Sequence, residues 1–184
     1  MQHLGNGIYR IKNFFSLHKK FKDLILNQID NLDFFSYQNN VFKKNDFDSH
    51  DFWVKAVDSS NPILYEIVSS LNEQMIKVLN LTLNTTHVSQ WEHSQYCGMI
   101  SLYNPGNFFM DHNDLFSSDE EKKMTYTAVY YVNQDFEGGN LFFPELKITV
   151  KPIENSLVLL PSHLTHRAEE IISGNKIIST TFFK

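Results

Sequence analysis

The chain has 184 residues, 42% of them hydrophobic and 20% charged, a size and mix that suit one domain with one sizeable core. Only 7 Gly and 5 Pro rule out a collagen-like or linker chain, and the apolar content rules out a disordered tail. The net charge is −5, and the basic residues are 14 Lys with just two Arg, Arg10 and Arg167. No Arg-rich stripe is visible, so nucleic acid is not an expected partner.

No apolar run approaches the roughly 18 residues of a membrane-spanning helix, so no membrane partner is expected. The first 15 residues show no apolar block followed by a small-residue cleavage site, and nothing there reads as a secretion signal. The single cysteine, Cys97, cannot make an internal disulfide and fits a reducing, cytoplasmic setting. The unusual feature is 16 Phe and 8 Tyr, which favour strands and a large packed interior.

In chain order, residues 13–32 place Phe14, Leu17, Phe21, Leu24, Ile25 and Ile29 on one stripe of period 3.6, which predicts a helix. Residues 34–57 give only weak signals for short strands and turns. A second helix is predicted to start at Asn61-Pro62, a cap residue followed by proline at the first helical position. Its stripe is Leu64, Ile67, Val68, Leu71, Met75, Ile76 and Leu79. After about residue 86 the texture changes to short β-branched or aromatic runs at 88–103, 125–133, 141–143, 147–150, 156–160, 166–172 and 176–183. Turn signals separate them, among them Asn104-Pro105-Gly106, Glu137-Gly138-Gly139-Asn140 and Ser173-Gly174-Asn175. Two helices followed by seven or so close-turned strands predict a β-sandwich or small barrel backed by helices.

The chemistry concentrates in the second half. His112-Asn113-Asp114 is a His-x-Asp step, and residues two apart on a strand point to the same side, where they can share one metal. Eight His and eleven Asp make such a step by chance in about every second chain of this length, so alone it reads as a surface strand end. Two further histidines, His163 and His166, lie downstream, and a predicted strand from Lys176 puts Lys176, Ile178, Thr180 and Phe182 on one face. A lysine in such an aromatic, β-branched strand is costly to bury unless it meets an anion. Two histidines, one carboxylate and a buried cation match a facial triad for Fe(II) beside an acidic co-substrate.

These residues resemble the prolyl 4-hydroxylase type of Fe(II)- and 2-oxoglutarate-dependent dioxygenases, over roughly residues 88 to 183. Tyr103-x-x-Gly106-x-x-Phe109-x-x-His112-x-Asp114 resembles the family's first iron-ligand strand. Ala128 to Asn133 followed by Glu137-Gly138-Gly139-x-Leu141-x-Phe143-Pro144 resembles its second signature. Val150-Lys-Pro152, Leu160-Pro161, His166-Arg167, Gly174 and Lys176 resemble the third. The resemblance implies a mainly β (α+β) fold, a distorted double-stranded β-helix of jelly-roll or cupin-like kind with N-terminal supporting α-helices. It implies one domain over 1–184, with 1–86 as helical support and peripheral strands and 87–184 as the catalytic jelly-roll core.

The same resemblance assigns His112, Asp114 and His166 to the metal and to catalysis, and Lys176 to the distal carboxylate of 2-oxoglutarate. It places Tyr103, Tyr131, Leu141 and Thr180 around that co-substrate. The implied cofactors are Fe(II), 2-oxoglutarate and O2, with ascorbate as an auxiliary reductant. The implied reaction hydroxylates an unactivated C–H bond and releases succinate and CO2, on a prolyl residue of a peptide or protein. Leu141 stands where many relatives carry threonine, and Phe182 where many carry tryptophan.

Rival readings sit beside these. His163 is the alternative third ligand, but only His166 stands ten residues before the lysine. The rival reading of Tyr103 and Tyr131 is as core tyrosines with satisfied hydroxyls. If Tyr103 points inward, alternation sends Ser101, Met99 and Cys97 inward too, and Cys97 reads as a buried small hydrophobe. Asp48, His50 and Asp51, and His87 and His93 near Glu92, lack a third partner at a telling spacing. Residues 115–123 are polar and read as a solvated loop, or by resemblance as a lid. Hydroxylation of a free amino acid or other small-molecule substrate, a catalytically silent jelly-roll binding module, and a cupin-like metalloenzyme without 2-oxoglutarate remain as alternatives.

Overall fold

The structure is a computed structural model that describes residues 1–32, 34–36, 53–92, 94–115 and 124–184. The chain opens with an antiparallel hairpin, β1 (Gln2–Gly5) and β2 (Ile8–Lys12). Its turn residues Asn6 and Gly7 lie at φ 49° and 77°, the positive-φ backbone that a two-residue hairpin needs and Asn-Gly adopts readily. Sequence analysis assigns no strand before residue 13, so this hairpin is an addition.

The helix predicted over residues 13–32 is shorter. Helix α1 spans His18–Gln28, with a single 3-10 turn at Ile29–Asn31. The amides of Phe14 and Phe15 bond instead to the Asn155 carbonyl and side chain, at 3.0 and 2.9 Å. Long-range hydrogen bonds thus claim the amides that an earlier helix start would use. Phe21 and Ile25 keep the buried stripe, whereas Leu17 is exposed. Helix α2 (Pro62–Leu83) starts as predicted, with the Asn61 side chain accepting from the Leu64 amide at 3.2 Å. Of its stripe, Leu64, Ile67, Val68, Leu71, Met75 and Leu79 are buried, and Ile76 packs at the margin.

The remaining strands are β3 (Phe35–Ser36), β4 (Trp53–Asp58), β5 (Tyr96–Tyr103), β6 (Phe109–His112), β7 (Tyr126–Tyr131), β8 (Phe136–Gly138) and β9 (Leu141–Phe143). They continue as β10 (Ile148–Val150), β11 (Ser156–Pro161), β12 (His166–Ala168), β13 (Ile171–Gly174) and β14 (Lys176–Phe183). An eight-stranded sheet runs β1-β2-β11-β7-β14-β5-β4-β3, a four-stranded sheet β10-β9-β12-β6, and β13 pairs with β8. The strand predicted at 166–172 is therefore two strands in two sheets. Between them the Glu169 amide bonds to the Asn140 carbonyl and the Gly139 amide to the Glu170 carbonyl, which redirects the chain.

The large sheet is apolar on both faces. On one, Ile100, Ala128, Tyr130, Leu157, Leu159, Ile177 and Phe183 pack under α1 and α2. On the other, Tyr103, Val129, Tyr131, Val158, Leu160 and Ile178 meet Leu141, Phe143 and Val150 of the small sheet. Alternation sorts each strand's residues between these two cores. The result is the mainly β, two-sheet jelly-roll with helices on one side that the resemblance implies.

Alternation fails near the start of β5. The β4–β5 register slips between Val57 and Asp58, so that Val57 faces Gly98 and Asp58 faces Tyr96. Cys97 consequently lies in the helix-side core, with its Sγ 3.5 Å from the Tyr65 carbonyl, and not on the face of Met99, Ser101 and Tyr103. It is a buried small hydrophobe as expected, and burial pushes its thiol up from the ordinary value.

Candidate active site

His112 ends β6 and His166 begins β12, and the two are register partners across that antiparallel pair. Their rings therefore project to the same side, with centroids 4.3 Å apart. Asp114 follows two residues after His112, and its amide bonds to the Ser162 carbonyl at 2.8 Å, which draws it over the loop that leads into β12. One ligand atom from each of His112, Asp114 and His166 lies within 4.8 Å of the others. His112 Nε2 is 3.6 Å from Asp114 Oδ1, and His166 Nε2 is 3.5 Å from Asp114 Oδ2. His163 is exposed and stands outside this cluster, whereas His166 is part of it.

The tautomers follow from the hydrogen bonds. His112 Nδ1 lies 2.7 Å from the Met110 carbonyl and His166 Nδ1 2.9 Å from the Leu164 carbonyl. A carbonyl only accepts, so each Nδ1 carries the proton and each Nε2 presents its lone pair to the cluster. Burial, with His166 beside it, lowers His112 to about 4 against the pull of Asp114, so the imidazole is neutral at pH 7. Two imidazole Nε2 atoms turned to the cluster and a carboxylate are the donor set that suits a divalent iron.

The triad opens into a cavity of about 270 Å³. Tyr103, Tyr131, Leu141, Lys176 and Thr180, all named from the sequence, line that cavity together with His112, Asp114 and His166. Lys176 is 2% exposed; its Nζ donates to the Gly139 carbonyl at 2.9 Å and lies 4.9 and 5.9 Å from the ring centroids of Tyr103 and Tyr131. Burial lowers it to about 7. The Tyr131 phenol is pushed upward by burial, so it stays protonated as a donor. Met99, Phe109, Val129, Ile178 and Phe182 make the rest of the wall largely apolar.

Sequence reasoning missed Thr127 and Ser162. Thr127 Oγ1 donates to Asp114 Oδ2 at 2.7 Å and lies 3.1 Å from Ser162 Oγ. No spacing connects them, because they come from β7 and from the loop after β11. His87 is bonded through Nδ1 to Thr85 Oγ1 and joins no metal-capable cluster among the described residues. Asp48, His50, Asp51, His93 and residues 116–123 of the expected lid lie outside the described residues.

Residues 98–184 match the 2OG-Fe(II) oxygenase superfamily, the stretch that carries the whole triad and Lys176. That matched stretch is the 2OG-Fe(II) oxygenase part of the chain. No curated protein matches the oxygenase in sequence. Among solved structures, it resembles a viral collagen prolyl hydroxylase from Paramecium bursaria Chlorella virus-1 in its 2OG complex (TM-score 0.68, 18% identity, 97% of this chain and 96% of that one). It also resembles a Pseudomonas putida prolyl-4-hydroxylase (TM-score 0.72, 17% identity, 97% and 92%). A third is a prolyl hydroxylase in complex with a hypoxia inducible factor oxygen degradation domain peptide fragment, from Trichoplax adhaerens (TM-score 0.66, 19% identity, 97% and 83%). At these identities the likeness establishes the double-stranded β-helix fold. Fe(II) and 2-oxoglutarate are the cofactors of this oxygenase, implied by its superfamily and by the donor set of its triad. Among the described residues no helix is long and apolar enough to cross a membrane.

Proposed function

We propose that the protein hydroxylates a prolyl residue of a peptide or protein. In this reading His112, Asp114 and His166 hold Fe(II), and Lys176 pairs with the distal carboxylate of 2-oxoglutarate. Tyr103, Tyr131, Leu141 and Thr180 surround that co-substrate. Residues 87–184 form the catalytic core and 1–86 support it. The observation that carries the reading is that the triad and the buried Lys176 open into one largely apolar cavity.

The balanced reaction takes one substrate C–H, one O2 and one 2-oxoglutarate to one C–OH, one succinate and one CO2, with an oxygen atom entering each organic product. Bound Fe(II) supplies the activation of O2 and the oxidative decarboxylation. The chain's own residues supply the rest. Lys176 is a point charge for a carboxylate, and its burial makes that pairing strong once an anion replaces the missing solvent. The Tyr131 hydroxyl adds a donor. Phe109, Val129, Ile178 and Phe182 exclude water from the reacting centre, and their apolar surfaces suit a pyrrolidine ring. The likeness of fold to three prolyl hydroxylases supports proline as the target.

The test is succinate release with Fe(II), ascorbate and 2-oxoglutarate, with and without a pool of proline-containing peptides. Stimulation by the pool, with one added oxygen located on proline by mass spectrometry, is the expected result. An unchanged basal rate would reject prolyl peptides. Stimulation by free amino acids instead would move the target to a small metabolite.

A further inference from the structure

We propose that Thr127, oriented by Ser162, is a positioning residue that holds Asp114 by one carboxylate oxygen so that the other is kept for the metal. This rests on the reading of His112, Asp114 and His166 as metal ligands. All three residues of the array are buried: Ser162 is 0%, Thr127 1% and Asp114 4% exposed. Three separate stretches of chain converge there. Thr127 projects from β7 in the middle of the large sheet, Ser162 follows β11, and Asp114 follows β6. Backbone bonds lock the frame, since the Asp114 amide donates to the Ser162 carbonyl at 2.8 Å and the Ser162 amide to the Thr125 carbonyl at 2.9 Å.

Proton bookkeeping gives the array a direction. The carboxylate has no proton, so in the 2.7 Å bond to Oδ2 the donor is Thr127 Oγ1. A threonine hydroxyl has a single proton, and it is now committed. In the 3.1 Å contact between Thr127 Oγ1 and Ser162 Oγ the donor must therefore be Ser162. The donors run one way, from Ser162 to Thr127 to Asp114 Oδ2. Each bond strengthens the next among side chains so deeply buried.

Two consequences bear on the metal. A short side chain with a terminal torsion that is otherwise broad is fixed before any ion arrives, so less order is lost on binding. Oδ2 also has one lone pair occupied and is a poorer second ligand, which favours attachment through Oδ1 alone. With a metal bound, two histidines and a one-oxygen carboxylate would leave its remaining positions free for the co-substrate and dioxygen. A carboxylate that bound through both oxygens would close one of them.

The experiment uses the full chain freed of metal and titrated with Co(II) alone, followed by the ligand-field absorption of the bound ion. Thr127→Val keeps the shape and removes the hydroxyl; it is expected to raise the Kd for Co(II) by about 10–100-fold, the usual effect of losing a group that orients a ligand, and to alter the absorption band. Thr127→Ser restores the donor and is expected to recover most of the affinity and the wild-type band. Wild-type affinity and band in Thr127→Val would overturn the proposal, and so would a Thr127→Ser variant as weak as Thr127→Val. If Thr127→Val does not fold, Ser162→Ala carries the test: weaker Co(II) binding supports the array, and unchanged binding overturns it. Asp114→Ala separates the two levels, because Co(II) binding at wild-type strength in that variant would refute the ligand assignment itself.

Discussion

The burial of Lys176 opposes folding of the unliganded protein. The lysine has one hydrogen bond, to the Gly139 carbonyl, and two aromatic faces for company. Burial holds it near 7, against 10.5 for an ordinary lysine. The unfolded chain therefore binds more protons than the folded one between about pH 7 and 10.5, and stability contributed at this site rises with pH across that window. Lys176→Met should be more stable than wild type at pH 7, and should lose that part of the rise toward pH 9; denaturant titrations at the two pH values measure both. The same substitution should sharply raise the KM for 2-oxoglutarate. On the proposed pairing of Lys176 with the co-substrate carboxylate, binding of the anion would recharge the lysine, so affinity should fall as pH rises above 7, at most about tenfold per unit. Calorimetry in buffers of different ionisation enthalpy would show proton uptake at pH 8. A pH-independent Kd with no uptake would mean that another group anchors the carboxylate.

At the scale of elements, α2 and the large sheet approach each other closely at Gly98 of β5. A Cβ built there would lie 2.5 Å from Val68 Cγ1 of α2, and a β-branched valine in a helix has no free rotamer into which to retreat. Gly98→Ala should therefore destabilise the protein by about 1–3 kcal/mol as overpacking does. Val68→Ala added to it should recover part of that loss, even though Val68→Ala alone destabilises by leaving a cavity. Strictly additive losses in the double variant would show that the helix moves as a body instead. What was legible in the sequence divides along the same line of local against distant causes. The start of α2 was readable because its cap, its proline and its stripe are all local. The order His-x-Asp, His and Lys was readable because a shared spacing carries it. The late start of α1 was not, since Asn155, some 140 positions away, claims the amides of Phe14 and Phe15. Nor was the helix-side placement of Cys97, which depends on a slip in the β4–β5 register. Thr127 and Ser162 were invisible for the same reason, because only the folded chain brings them to Asp114.

For the molecule as a whole, the first half does more than lean on the second. It contributes β1, β2, β3 and β4 to the eight-stranded sheet, with β2 paired to β11 and β4 to β5. Its helices cover the sheet face opposite the cavity, where Tyr130, Leu157, Leu159, Ile177 and Phe183 are each 0% exposed. Uncovering five such side chains costs about 1.5–3 kcal/mol apiece, which together is comparable with the entire 5–15 kcal/mol that keeps a domain folded. The strands that hold His112, Asp114, His166 and Lys176 in place belong to the same two cores and would lose their backing with the helices. Residues 87–184 alone should therefore show no cooperative melt and no Co(II) binding. The full chain should melt in one transition, raised further by Co(II) with 2-oxoglutarate because both bind only the folded state. Circular-dichroism melts of the two polypeptides, with and without these ligands, make the comparison. A cooperative melt and Co(II) binding by the 87–184 fragment would overturn the argument and make the triad half a folding unit in its own right.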